Sequence, residues 1–233
     1  MMKVPSGRLA VKWRRVAHPV KLAGPRPAWI CRSFAFQDTV DGPCGKTARS
    51  AMDIETTPID GLLIITPKRH GDTRGYFSET WNARSLLDRG HDWSFVQDNQ
   101  SLSAEKGTLR GLHYQAPPHA QAKLVRCGKG TVWDVAVDAR KASPTFGQWF
   151  GVELSAENGR QIYVPEGFLH GFSTLTPDAE LLYKCSDYYN GAADGAVHYA
   201  SAGLGIDWRL EGEPVLSDKD AAAPDFAEWA SPF

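Results

Sequence analysis

From Asp60 onward the chain alternates short apolar runs with turn-forming Gly, Pro, Asp and Asn. The run GLLIIT at 61–66, closed by Pro67, predicts a first strand. Residues 70–75 (HGDTRG) predict a turn, and 76–81 a second strand. Residues 82–90 carry the clearest helical signature: an asparagine cap, a short body and a terminal glycine. Further strands are predicted near 95–101, 108–115, 123–127, 131–137, 148–154, 161–164, 171–175, 181–186 and 196–199. Many short strands with little helix predict one all-β domain, a sandwich or barrel. The absence of a fixed-period repeat argues against a propeller.

Side chains alternate across a strand, so spacing states which residues share a surface. In 108–115, strict alternation puts Leu109, Gly111, His113 and Gln115 on one face and Arg110, Leu112 and Tyr114 on the other. Lys123, Val125 and Cys127 line up in the next strand. Phe168, His170 and Phe172 share a face if that segment is extended. Singly, each polar residue reads as a satisfied core or rim group. Burying a lysine and two histidines together is costly without a purpose, and suits a barrel that holds a ligand.

Charge divides the chain. Of the 26 Lys+Arg and 27 Asp+Glu, residues 1–51 hold ten bases and two acids, a balance of +8, which leaves 52–233 at −9. Prolines at 5, 19, 25, 27 and 43 interrupt every candidate element in the basic segment. Scattered charges rule out the uninterrupted apolar stretch of a secretory signal. A transit peptide would fit the charge but not the shortage of serine, and a nucleic-acid arm would fit the charge but not the lack of clustered aromatics. The preferred expectation is an unstructured leader over 1–51, with Met52 opening a domain of 52–233. No apolar run reaches the roughly 18–20 residues of a membrane span. Cys31, Cys44, Cys127 and Cys185 form no CxxC pair and read as reduced thiols of a cytoplasmic protein, with Cys127 and Cys185 buried.

Two histidines on separate strands raise a metal-binding cupin as an alternative. Such a site wants a His-x-His pair with a nearby carboxylate. Here the segment reads His113-Tyr-Gln115, His119 lies beyond Pro117 and Pro118, and Lys123 would oppose a divalent cation. No metal is expected.

The motifs GDTRGYFSETW (71–81), FVQDNQS (95–101), LRGLHYQ (109–115), KLVRC (123–127), DVAVDARKASPTFGQW (134–149), VPEGFLHGF (164–172), YKCSDYY (183–189) and LSDKDAAAP (216–224) lie in order along 59–224. Over that span the chain strongly resembles the dTDP-4-dehydrorhamnose 3,5-epimerase family; residues 1–51 lie outside the resemblance. The resemblance implies a cupin-type jelly roll with one or two short helices and a homodimer exchanging β-structure. It implies an isomerase that needs no cofactor and acts on a dTDP-4-keto-6-deoxyhexose. His113 then matches the base, Asp220 the carboxylate paired with it, Tyr183 the proton donor on the opposite face, and Lys123 the cation near the keto oxygen. Arg74, Arg110, His170 and Lys219 match positions at the sugar or diphosphate. Glu79, Gln97 and Asn99 match positions near the nucleotide, Tyr189 an aromatic that stacks on thymine, and Asp194 an acid in a substrate-contacting loop. Nucleic acid and membrane are not expected partners. Competing expectations are an epimerase of C3 or C5 alone, a sugar-nucleotide binding module without turnover, and a metal-dependent oxygenase.

Overall fold

The computed structural model describes residues 52–233, and the expectation for 1–51 lies outside them. The strands are Met52–Thr56 (β1), Leu63–Pro67 (β2), Arg69–Asp72 (β3), Gly75–Ser78 (β4), Gln97–Ser103 (β5), Leu109–Gln115 (β6), Lys123–Lys129 (β7), Thr131–Asp138 (β8), Trp149–Ser155 (β9), Gln161–Val164 (β10), Phe168–Thr174 (β11), Ala179–Cys185 (β12) and Asp194–Ala196 (β13). The helices are Ala83–Leu87 (α1), between β4 and β5, and Asp218–Ala221 (α2), near the C-terminus. The Asn82 side chain caps α1 by accepting from the Ser85 N–H, as its position before the helix predicts.

Among the described residues the strands form a six-stranded sheet in the order β1-β2-β10-β7-β12-β5 and a five-stranded sheet in the order β13-β6-β11-β8-β9. All strand pairs are antiparallel. Neighbours in space are mostly distant in sequence, the long connections of a jelly roll. The segment expected as a turn at 70–75 is instead a hairpin, β3 paired with β4, with only the reversal itself outside the strands.

Register explains the core. Val125, Ile162, Leu181 and Val164 from one sheet meet Val132, Ala136, Val152, Leu154, Phe168 and Phe172 from the other. The outer face of the five-stranded sheet, with Leu109, Leu112, Val135, Val137 and Leu169, is covered by Val197, Leu204, Trp208 and the aromatics of the C-terminal segment. A third cluster of Met52, Ile65, Leu86 and Leu124 seats α1 on the other sheet. Cys127 and Cys185 are free and buried.

Strict alternation fails in β6. His113 pairs with His170 and Arg110 pairs with Phe172, so two residues of β6, Gly111 and Leu112, oppose the single Gly171 of β11. Because His170 and Phe172 share a face, Arg110 and His113 share one too, and Leu109 and Leu112 turn to the outer cluster. The expected placement of Arg110 opposite His113 is therefore corrected. Gly111 sits at the slip with φ +130, and a Cβ there would lie 2.6 Å from Gly171 Cα, a contact only glycine avoids.

Candidate active site

One half of the interior is polar, and both sheets contribute to it. On the six-stranded sheet, Lys123 pairs with Cys185, Tyr183 with Val125, and Tyr183 and Cys185 with Asn99 and Gln97. All therefore point to the same face. From the five-stranded sheet come Arg110, His113 and His170. The small β13 adds Asp194, paired with Gln115 beside His113. Arg110 ties the two sheets, its guanidinium donating to Ser103 Oγ and the Leu102 carbonyl, both at 3.2 Å.

His113 Nε2 lies 2.5 Å from Asp220 Oδ1. Asp220 arrives from the far end of the chain. The Val215 carbonyl accepts from the Leu109 N–H at the start of β6, and the Pro224 carbonyl accepts from His198 N–H, so α2 is held on both sides. Ser217 caps α2, taking the Asp220 N–H at 3.2 Å and donating its hydroxyl to Asp220 Oδ2 at 2.9 Å. Asp220 is 2% exposed. Burial pushes its carboxyl up, but the hydrogen bond and charge of His113, with Ser217 and Lys219, outweigh this and hold it below the usual range.

A second histidine–carboxylate pair lies beside the first. His170 Nε2 is 2.9 and 3.0 Å from the two oxygens of Asp134, which is 0% exposed. Burial depresses the Lys123 ammonium below its ordinary range, while Cys185, Asp134 and Asp194 act to keep it charged and Lys219 opposes. Burial raises the Tyr183 phenol, with Cys185 adding and the Arg110 cation opposing.

Gln97, Asn99, Tyr189 and Asp194 form a chain of contacts. Gln97 Nε2 donates to Asn99 Oδ1 (3.0 Å), and Gln97 Oε1 accepts the Tyr189 N–H (2.9 Å). The Tyr189 hydroxyl donates to Asp194 Oδ2 (3.4 Å), which is also ion-paired with Lys219, the neighbour of Asp220.

Eleven of the thirteen site residues named from sequence thus gather at one end of the sandwich: His113, Asp220, Lys123, Tyr183, Arg110, His170, Lys219, Gln97, Asn99, Tyr189 and Asp194. Arg74 and Glu79 do not join them within one chain. Arg74 lies at the tip of the β3–β4 hairpin, 87% exposed and paired with Asp72. Three supporting residues escaped the sequence reading. Asp134, a lone carboxylate inside the apolar run of β8, could have been found from its need for a buried partner. Ser217 could have been found as an S-x-x-D cap, whereas Ser103 leaves no signal. Among the described residues no group of three or more His, Cys, Asp or Glu is disposed to hold a metal ion.

The family model described as dTDP-4-dehydrorhamnose 3,5-epimerase matches residues 56–228. The dTDP-4-dehydrorhamnose 3,5-epimerase of Salmonella typhimurium is 52% identical over 174 residues, 74% of this chain and 94% of its own length. The dTDP-6-deoxy-D-glucose-3,5-epimerase of Legionella pneumophila, solved in complex with dTDP-4-keto-L-rhamnose, superposes with a TM-score of 0.73 at 50% identity, covering 76% of this chain and 94% of that one. A 3'-monoepimerase from Streptomyces bikiniensis, in complex with dTDP-quinovose, is more distant, at 40% identity and a TM-score of 0.69 over 73% of this chain and 86% of its own. With its jelly roll, its paired His113 and Asp220 and this matching sequence, the chain belongs to the dTDP-4-dehydrorhamnose 3,5-epimerase family of isomerases.

Proposed function

We propose that the protein inverts C3 and C5 of dTDP-4-dehydro-6-deoxy-D-glucose to give dTDP-4-dehydro-L-rhamnose, a step of dTDP-L-rhamnose synthesis. The observation that carries the reading is the projection of a buried-carboxylate histidine and a tyrosine from facing sheets into one interior.

The C4 ketone acidifies the hydrogens at C3 and C5, because loss of either proton leaves the charge on the C4 oxygen as an enolate. His113 takes that proton. Its Nε2 is held by Asp220, which leaves Nδ1 for the substrate, and the carboxylate stabilises the imidazolium that forms. Lys123 supplies the cation for the enolate oxygen. Tyr183 returns a proton from the other face, and its raised pKa keeps the phenol protonated at neutral pH. Arg110, His170 and Lys219 bind the sugar and diphosphate, while Gln97, Asn99, Tyr189 and Asp194 bind the nucleotide end.

Arg74 and Glu79 fit this scheme as residues lent to a second copy of the chain. The hairpin that carries Arg74 also displays Tyr76 and Phe77, which are 59% and 69% exposed. A strand-exchanged homodimer would cover both rings. The buried free thiols of Cys127 and Cys185 suit the reducing cytoplasm.

The test is conversion itself. The protein is incubated with dTDP-4-dehydro-6-deoxy-D-glucose and a chelator, and the configuration at C3 and C5 is read by NMR. Inversion at both carbons is expected. Inversion at one would assign a monoepimerase, and unchanged sugar with folded protein overturns the proposal.

A further inference from the structure

Gln115 occupies the position where a metal-binding cupin would carry a second ligand, and the structure gives it another task. Its side chain is buried near the end of β6, two residues from His113. The Nε2 group donates to two backbone carbonyls, that of His119 and that of Tyr188, the latter at 3.1 Å. The Oε1 atom accepts the Asn190 N–H at 2.8 Å. One amide therefore holds two loops at once, 116–121 and 187–193, and grips residues on either side of Tyr189.

The same two loops are also joined directly. Gln121 Nε2 donates to the Asp187 carbonyl at 2.7 Å, and His119 Nδ1 lies 3.2 Å from Asp187 Oδ2. The two rings of 187–193, Tyr188 and Tyr189, are exposed, so apolar burial does little to order that segment. Hydrogen bonds have to do it: Gln97 takes the Tyr189 N–H, the Ala116 N–H donates to the Ala193 carbonyl, and the buried Gln115 side chain holds the residues on both sides of Tyr189. A glutamine suits the task because it supplies two donors and an acceptor at once.

We propose that Gln115 is a positioning residue of the epimerase, setting the 187–193 loop so that Tyr189 meets the nucleotide. The inference rests on the epimerase reading above. It acts on binding of the nucleotide end and leaves the proton transfers at C3 and C5 to His113 and Tyr183.

Gln115→Glu separates this role from simple packing. It preserves the shape, but a carboxylate cannot donate to the His119 and Tyr188 carbonyls, while it still accepts from Asn190. In the full chain, KM for the dTDP-sugar should rise about tenfold or more, with kcat changed by less than about twofold. Calorimetric titration with dTDP alone should show the same loss of affinity, a readout that does not depend on turnover. Gln121→Ala, which removes a half-buried tie to the same loop, should raise KM in the same direction by less. It decides the matter if Gln115→Glu fails to fold. Wild-type KM and dTDP affinity in the folded variants would overturn the inference, as would a fall in kcat at constant KM. A wild-type protein that binds dTDP yet leaves the keto sugar unchanged would instead overturn the epimerase reading.

Discussion

At the scale of single residues, the site depends on buried charges whose partners set their state. Asp220 is held ionised by His113 and Ser217, and an amide there would keep the shape while losing the charge that stabilises an imidazolium. Asp220→Asn should lower kcat by about 10³-fold, with KM little changed, in steady-state assays of the keto sugar. Equal kcat for the variant would remove Asp220 from the mechanism. Lys123 is charged only below its depressed pKa, so activity that needs the cation is lost as pH rises through a value below the ordinary lysine range. The alkaline limb of the kcat profile should belong to Lys123 and disappear, on a much lower baseline, in Lys123→Gln. Carboxylate stability runs the other way. Burial raises the Asp138 carboxyl, but hydrogen bonds from Arg140, Ser143 and Thr145 prevail and hold it at about 2, against 3.8 for a free aspartate. A lowered folded pKa stabilises the fold above pH 3.8, and that contribution, about 2 kcal/mol, is lost as pH falls from there toward 2. Denaturant titrations of Asp138→Asn against the parent across this window should converge at the acid end.

At the scale of elements, the position of His113, the proposed base, is set by a ladder slip. Gly111 lets β6 oppose two residues to one of β11, which turns Arg110 and His113 to the same side. Gly111→Ala should destabilise the fold by roughly 2–4 kcal/mol and reduce turnover further than the unfolded fraction accounts for, measured by denaturation and assay on one preparation. This slip marks the limit of reading by alternation. Period-two patterning placed Lys123 with Val125 and Cys127, and His170 with Phe168 and Phe172, as the structure has them. It could not place Arg110, because the slip depends on the approach of Gly171 on a strand sixty residues away. The α1 helix was legible from its asparagine cap. The four-residue α2 and β3 were not, since so few residues carry no period, whereas β4 overlaps the strand expected at 76–81. The strand expected at 196–199 pairs only over Asp194–Ala196, where β6 offers it a partner.

At the scale of the whole molecule, a domain of charge −9 with the proposed dianionic sugar-nucleotide substrate has to gather its cations locally. The fold brings Arg110, Lys123, His170 and Lys219 to one end of the sandwich and leaves Arg74 on an outlying hairpin. If that hairpin serves a second copy, mixing inactive Arg74→Ala and His113→Ala proteins through an unfolding and refolding cycle should restore about a quarter of the parental activity, in heterodimers with one intact site. No recovery would place Arg74 in its own chain's site or outside any site. A chain shortened to residues 52–233 should retain turnover, because Met52 itself lies in the cluster with Ile65 and Leu86. The central claim, that one histidine and one tyrosine on facing sheets exchange protons at both carbons beside the ketone, is tested most directly by solvent label. With dTDP-4-dehydro-6-deoxy-D-glucose in deuterated water, NMR should show deuterium entering at C3 and at C5, and His113→Ala should abolish both. Inverted product without deuterium at either carbon, or undiminished labelling by His113→Ala, would contradict it.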